Sequence, residues 1–209
     1  MDRRKFILAG GAALMAGHAK ADINCSPPDY YGNQICTVGV SSLRFFSTYQ
    51  KCPYWCWAAC IQMVFATAGH LVAQEVIVQK LFGNLACAPA PNGFAILQAV
   101  NGTWWDTNGD IFQAEGVPLA DLAVGFANPN ASVAAANELA AGYPLINGAM
   151  GHATVLTAMT FARDRFGGGQ VRELIVRDPY PYSPPRPNRR RLNYQELNSN
   201  VFLAAIRTS

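Results

Sequence analysis

The stretch Gln50-Lys51-Cys52-Pro53-Tyr54-Trp55-Cys56-Trp57-Ala58-Ala59-Cys60 constrains this chain more than any other, because it leads directly into a segment that reads as a buried helix. From Cys56 onward C-W-A-A-C-I-Q-M-V-F-A-T-A-G is apolar almost all round, which suits a helix enclosed by a domain rather than one on its surface. Pro53 ahead of it and Gly69 at its far end supply the usual boundaries. A cysteine in the first turn of such a helix sits among backbone N–H groups that lack intrahelical partners, at the positive end of the helix dipole. A thiolate is stabilised there, so the thiol pKa falls and the cysteine becomes a nucleophile. Without that setting Cys56 would be one more small buried hydrophobe.

Gln50, five intervening residues and then Cys56-Trp57-Ala58 resembles the papain-like cysteine peptidases in spacing as well as composition. The C-W-A-A-C form, with a second cysteine one turn on, is more similar to compact bacterial secreted or effector-type members than to plant or lysosomal ones. In that family the glutamine amide and the nucleophile's own N–H form the oxyanion hole. The resemblance implies those roles for Gln50 and Cys56.

A thiol nucleophile needs a base, and the chain holds His18, His70 and His152. His18 falls within an expected export signal. His70 lies beyond the same helix as Cys56, about 21 Å away at roughly 1.5 Å per residue, too far to serve. His152 remains, between Gly151 and Ala153 at the start of an expected strand. Its imidazole requires a third group to fix the tautomer. If residues 152–161 and 171–178 pair across Gly167-Gly168-Gly169, Asp178 returns beside His152, whereas the rival Asp164 falls at the opposite end of the hairpin. Gly151-His152-Ala153 and Arg177-Asp178-Pro179 resemble the later motifs of the same bacterial families, where Asp or Asn takes this role. The resemblance covers residues 50–68 and 142–181, and the middle of the chain is unmatched.

Residues 1–21 read as an export signal, with Arg3, Arg4 and Lys5 before a short apolar run and Ala19-Lys20-Ala21 at its end. Asp2-Arg3-Arg4-Lys5-Phe6-Ile7-Leu8 resembles a twin-arginine signal, with an ordinary secretory signal as the other reading. An exported, periplasmic or extracellular protein is expected, without a membrane anchor. The formal net charge of +3 belongs to that signal, since the remainder carries twelve basic and twelve acidic residues. The local excess around Arg186 and Arg189–Arg191, among prolines, reads as a solvated loop, and nucleic acid is not an expected partner. All six cysteines lie after the signal, at 25, 36, 52, 56, 60 and 87. With Cys56 kept free, at most two bridges form. Cys25–Cys36 and Cys52–Cys87 with Cys60 free is the expected set, and Cys60–Cys87 is equally allowed by sequence.

The expected organisation is a signal (1–21), an N-terminal strap (22–49) with a possible strand at 36–40, and one catalytic domain (50–209). Within the domain, helices are expected at 56–69, 74–82, 94–100 and 132–141. Strands are expected at 145–149, 152–161, 171–178 and 201–206, with loops at 101–110 and 179–191. Helices followed by antiparallel strands argue an α+β class, and the resemblance implies a papain-like arrangement with an N-terminal helical lobe packed on a C-terminal β-sheet lobe. Trp104 and Trp105 are either core anchors or cleft walls. As cleft walls, with Phe112, they would favour an apolar or aromatic substrate side chain.

The expected activity is peptide-bond cleavage by Cys56, His152 and Asp178 with Gln50 in the oxyanion hole, acting as a monomer on a protein or peptide substrate without any cofactor. The alternatives are a transglutaminase-like acyltransferase or amidase with the same triad, or a catalytically inactive binding module. Cys52, Cys56 and Cys60 could also ligate an iron–sulfur cluster, a reading that lacks a fourth ligand.

Overall fold

The computed structural model describes residues 21–40, 46–180 and 189–209. Nearly all of the expected export signal, His18 included, and residues 181–188 of the expected proline-rich loop lie outside that set. In chain order the elements are β1 (Asn24–Cys25), β2 (Gln34–Gly39), α1 (Cys56–Thr67), α2 (Gln74–Phe82), α3 (Gly93–Val100), β3 (Gly102–Trp105) and β4 (Ile111–Asp121). Then come α4 (Ala131–Ala140), β5 (Leu145–Ala149), β6 (His152–Arg163), β7 (Gly169–Arg177), β8 (Arg189–Arg191), α5 (Tyr194–Asn198) and β9 (Asn200–Thr208). All strand pairings among the described residues are antiparallel, so the chain is an α+β protein.

One sheet joins the strands in the order β1-β2-β6-β5-β9-β4-β3, with β7 on β6 and β8 on β7. β6 is its spine. β7 pairs along Val155–Arg163, β5 along His152–Leu156 and β2 along Ala158–Arg163, so β5 and β2 share the edge opposite β7. Ala153, Thr154, Val155, Leu156 and Thr157 are all buried, as a strand covered on both faces requires. α1 packs against β5 and β6, and its side chains are buried from Trp57 to Ile61 and again from Met63 to Ala66, as the all-round apolar pattern demanded. The N-terminal strap joins the same sheet through β2.

Local signals place most elements. α2 ends where Gly83 takes φ 72°, a left-handed cap. α3 begins one residue earlier than expected, at Gly93, where the Asn92 side chain accepts the Ala95 N–H. Three readings need correction. Residues 102–105 form a strand rather than loop, because β4 lies alongside to pair with them. β4 itself was not expected. Buried Phe112 and Ala114 alternate with exposed Ile111, Gln113 and Glu115, a period-2 pattern that Gly116 and Pro118 interrupt, with a register shift just after Pro118. Arg189–Arg191, read as loop, form β8 on the edge of β7.

The cysteines pair as Cys25–Cys36 and Cys52–Cys87, leaving Cys56 and Cys60 free, so the Cys60–Cys87 alternative falls. Cys25 and Cys36 face each other in the β1–β2 register. Two disulfides fit an oxidising, exported environment. Among the described residues no helix is long and apolar enough to cross a membrane.

Cys52–Cys87 closes a sequence separation of 35 residues. Replacing both cysteines with serine should lower the unfolding free energy by about 3–4 kcal/mol through loop entropy alone, read from urea midpoints under non-reducing conditions. A loss under about 1 kcal/mol would show that the loop is held by its other contacts.

Candidate active site

The site forms where the first residue of α1 meets the first residue of β6. Trp55 precedes α1 without a side-chain cap, so the first-turn N–H groups are left to other partners, and the Trp57 N–H lies where it favours a negative charge on the Cys56 sulfur. The Ala153 N–H and the His152 side chain act on the sulfur in the same direction. His152 is held by a two-residue turn. Ala149 and His152 pair across it, and Met150 (φ 52°) and Gly151 (φ 74°) both take left-handed backbone, the geometry of a tight hairpin whose twist matches its strands. A methionine in that conformation is costly, and the flanking pairing holds it there.

His152 Nε2 donates to Asp178 Oδ1 at 2.7 Å, which leaves Nδ1 as the ring nitrogen for Cys56. Asp178 follows β7 directly, as the hairpin reading required, and is only 6% exposed. Its Oδ1 also accepts the Tyr180 N–H at 3.0 Å, and its Oδ2 accepts Arg190 Nε at 2.7 Å. Arg190 in turn forks onto Glu196, with Nη1 to Oε2 at 2.8 Å and Nη2 to Oε1 at 2.6 Å. Glu196 is fixed by a capping box with Asn193 at the start of α5. The basic run is thus partly structural. Arg190 reaches the site, and Arg191 pairs with Glu173 at 2.5 Å.

The electrostatics follow. Burial pushes the Cys56 thiol up, but the His152 hydrogen bond, the Ala153 N–H, the imidazolium charge and the Trp57 N–H together bring it below its ordinary value. Burial opposes the charged form of His152, yet the bonds to Asp178 and Cys56 and the charges of both raise its pKa to about 9. Burial would raise the Asp178 carboxyl, and His152, Tyr180 and Arg190 instead hold it at about 2. Cys60, fully buried one turn on, is driven well above the usual thiol range by burial and by the nearby Cys56 and Asp178. Both shifts favour the charged forms of Cys56 and His152, while the environment of Cys60 favours its neutral thiol.

Gln50 is 6% exposed, a few residues ahead of α1. Its N–H donates to the Pro179 carbonyl at 2.8 Å, tying it to the residue after Asp178. Its side-chain nitrogen donates to the carbonyls of Cys52 (3.2 Å) and Pro53 (2.6 Å), and its Oε1 is buried without a partner among the described residues. The structure thus brings Cys56, His152 and Asp178 together, with His152 hydrogen-bonded to Asp178, and holds Gln50 on loop carbonyls. Asp164 bonds the Phe166 and Gly168 N–H groups at the far hairpin turn, and His70 stacks on Phe112 with ring centroids 3.8 Å apart.

A cavity of ≈ 240 Å³ opens beside Cys56 and His152, walled by Trp57, residues 89–93, Ile96 and Phe202. Its outer wall is the loop after α2, fastened three times: by Cys52–Cys87, by Trp55 Nε1 on Ala86 O at 2.8 Å and by Trp57 Nε1 on Ala88 O at 3.3 Å. The expected tryptophan walls do not contribute. Trp104 and Phe112 are buried against Phe65 in the core, and Trp105 faces solvent at 62% exposure on β3, at one end of the sheet. The strand alternation of β3 and β4 turns these rings inward and outward by position. Cys52 is in a disulfide, so Cys52, Cys56 and Cys60 do not form a three-thiol ligand set.

Sequence reasoning missed Arg190, Glu196 and the fastened loop. Asn193-Tyr194-Gln195-Glu196 carried a capping-box spacing that announces α5, but nothing local links it to Asp178. Comparison with protein-family models and with curated proteins finds no match for this chain.

The raised His152 pKa has a sign that can be tested. Its stabilising contribution is fully present below pH 6.5 and is lost as pH rises through about 9. Asp178→Asn removes the anion opposite Nε2. NMR titration of the His152 imidazole should give a value near 9 in the native protein and one shifted toward 6.5 in the variant. Unchanged titration would show that Asp178 does not hold the proton.

Proposed function

We propose that this chain is an exported cysteine peptidase of papain-like type, with Cys56 as nucleophile, His152 as proton carrier and Asp178 as the group that orients it. The observation that carries this reading is the convergence of Cys56, His152 and Asp178, with His152 Nε2 on Asp178 at 2.7 Å and the same imidazole close enough to Cys56 to lower its thiol pKa. Such an arrangement makes a nucleophile without any other group, since the thiolate forms by proton transfer to the adjacent imidazole.

In this reading the Cys56 thiolate attacks a peptide carbonyl and His152 passes its proton to the leaving amine. A thioester remains, and water, deprotonated by His152, releases the acid and restores the thiol. Charge on the carbonyl oxygen is met by the Cys56 N–H at the helix start and by the Gln50 amide, which exchanges one of its loop carbonyls for the substrate oxygen. Asp178 keeps the imidazole ring in plane while its charge changes, as Arg190 and the Tyr180 N–H keep Asp178 itself fixed.

Brief iodoacetamide treatment at mildly acidic pH, followed by peptide mass spectrometry, should label Cys56 before Cys60. Preferential labelling of Cys60 would sink the assignment. The mature protein should cleave a mixed peptide library, and a Cys56→Ala control should not. Amine-coupled products in place of hydrolysis would assign acyl transfer instead.

Gln50→Ala should slow peptide turnover by about 100-fold, the usual worth of one oxyanion donor, while Cys56 alkylation stays near its native rate. Parallel loss of both would mean that Gln50 positions the thiol through the Cys52 and Pro53 carbonyls.

A further inference from the structure

The cavity beside Cys56 is apolar over most of its wall, yet it contains one acidic side chain that no part of the mechanism uses. Asp121, the last residue of β4, lines it and is only 4% exposed. Its Oδ1 accepts the Ala123 N–H at 3.2 Å. Among the described residues nothing donates to Oδ2, no lysine or arginine lines the cavity, and Asp121 belongs to no ion pair. The other titratable groups facing the cavity, Cys56 and His152, compensate one another. Oδ2 lies over the start of α3, where a Cβ on Gly93 would come within 2.6 Å of it and would also collide with the Phe202 ring. The glycine therefore leaves room for the carboxylate, and the positive end of α3 faces it.

A carboxylate oxygen that no side chain of its own chain meets, facing an otherwise apolar cavity beside Cys56, is placed to accept from a donor that enters the cavity. Resting on the peptidase reading, we propose that this cavity takes a cationic side chain of the substrate, lysine above all, with Asp121 Oδ2 as its counter-ion. Trp57, Pro91, Ile96 and Phe202 cover the aliphatic stem, as apolar surfaces do for long basic side chains. Only one carboxylate oxygen is open, which suits the compact ammonium of lysine better than the two-pronged guanidinium of arginine. This choice replaces the apolar preference expected from Trp104, Trp105 and Phe112, none of which reaches the cavity.

Peptidyl acyloxymethyl ketones that differ only in carrying lysine, arginine, norleucine or glutamate at the first or second residue from the warhead provide the test, with covalent capture of Cys56 read by mass spectrometry. Iodoacetamide labelling is run in parallel. At one of the two positions the lysine probe should react about 10- to 100-fold faster than norleucine, the worth of a charged hydrogen bond, with arginine between them and glutamate slowest. In Asp121→Asn, whose side-chain oxygen can still accept the Ala123 N–H, the lysine-to-norleucine ratio should fall to near one. Equal or faster capture by norleucine in the native protein overturns the proposal even if the variant does not fold, while rapid iodoacetamide labelling of Cys56 leaves the peptidase reading intact. An unreactive Cys56 with every reagent overturns both.

Discussion

A carboxylate taken out of water must be met by donors, and Asp178 is where this protein satisfies that requirement most fully. His152, Arg190 and the Tyr180 N–H converge on it, and the combined effect outweighs burial, since the carboxyl falls to about 2. Each donor comes from a different part of the chain. His152 opens β6, Tyr180 follows β7, and Arg190 sits on β8, so the ion-pair cluster and the strand pairing enforce one another. A charge buried in this way contributes little net stability, because desolvation offsets most of the attraction. Its value lies in orientation. The imidazole is left with one free nitrogen, and the register of β6 delivers that nitrogen to the start of α1.

That delivery depends on rigid surroundings. The Met150–Gly151 turn holds backbone that a methionine rarely adopts, and the antiparallel pairing of β5 with β6 offsets the cost. On the other side, Gln74 of α2 is fully buried and grips the strap, accepting the Lys51 N–H at 3.0 Å and donating to the Tyr49 carbonyl at 2.8 Å. Gln50, between those two residues, is thereby fixed before the helix starts. The cavity wall after α2 is fastened by a disulfide and two indole N–H bonds, which restrict its movement. Pre-organisation of this type lowers the entropy lost on binding.

The parts of this architecture that were legible in the sequence are those governed by short-range rules. The apolar run after Cys56, Gly83 at the end of α2, the three glycines between β6 and β7 and the strand pattern around His152 each determine local structure, and the pairing of β6 with β7 follows from their spacing. The meeting of His152 and Asp178 was legible because one hairpin connects them. β4 was not, because Gly116 and Pro118 interrupt its alternation, and its partner β9 is remote in sequence. Arg190 was illegible for a different reason. Three adjacent arginines look alike in sequence, and only the pairing of β8 with β7 decides which of them turns toward Asp178.

Asp178 and Asp121 form an instructive contrast. Both are buried acids close to the same cleft, at 6% and 4% exposure. The first is surrounded by donors from its own chain, with Arg190 further steadied by Glu196, so its charge is fully accommodated before any substrate arrives. The second has a single backbone donor on one oxygen and an apolar cavity before the other. Helix α3 and Gly93 make space for that carboxylate without supplying a cation. An apolar residue at Asp121 would leave the Ala123 N–H without its acceptor, so the local fold accounts for Oδ1 but not for Oδ2. An oxygen that the fold leaves facing an apolar cavity is open to a donor from outside, and under the peptidase proposal that donor is a cationic side chain of the substrate.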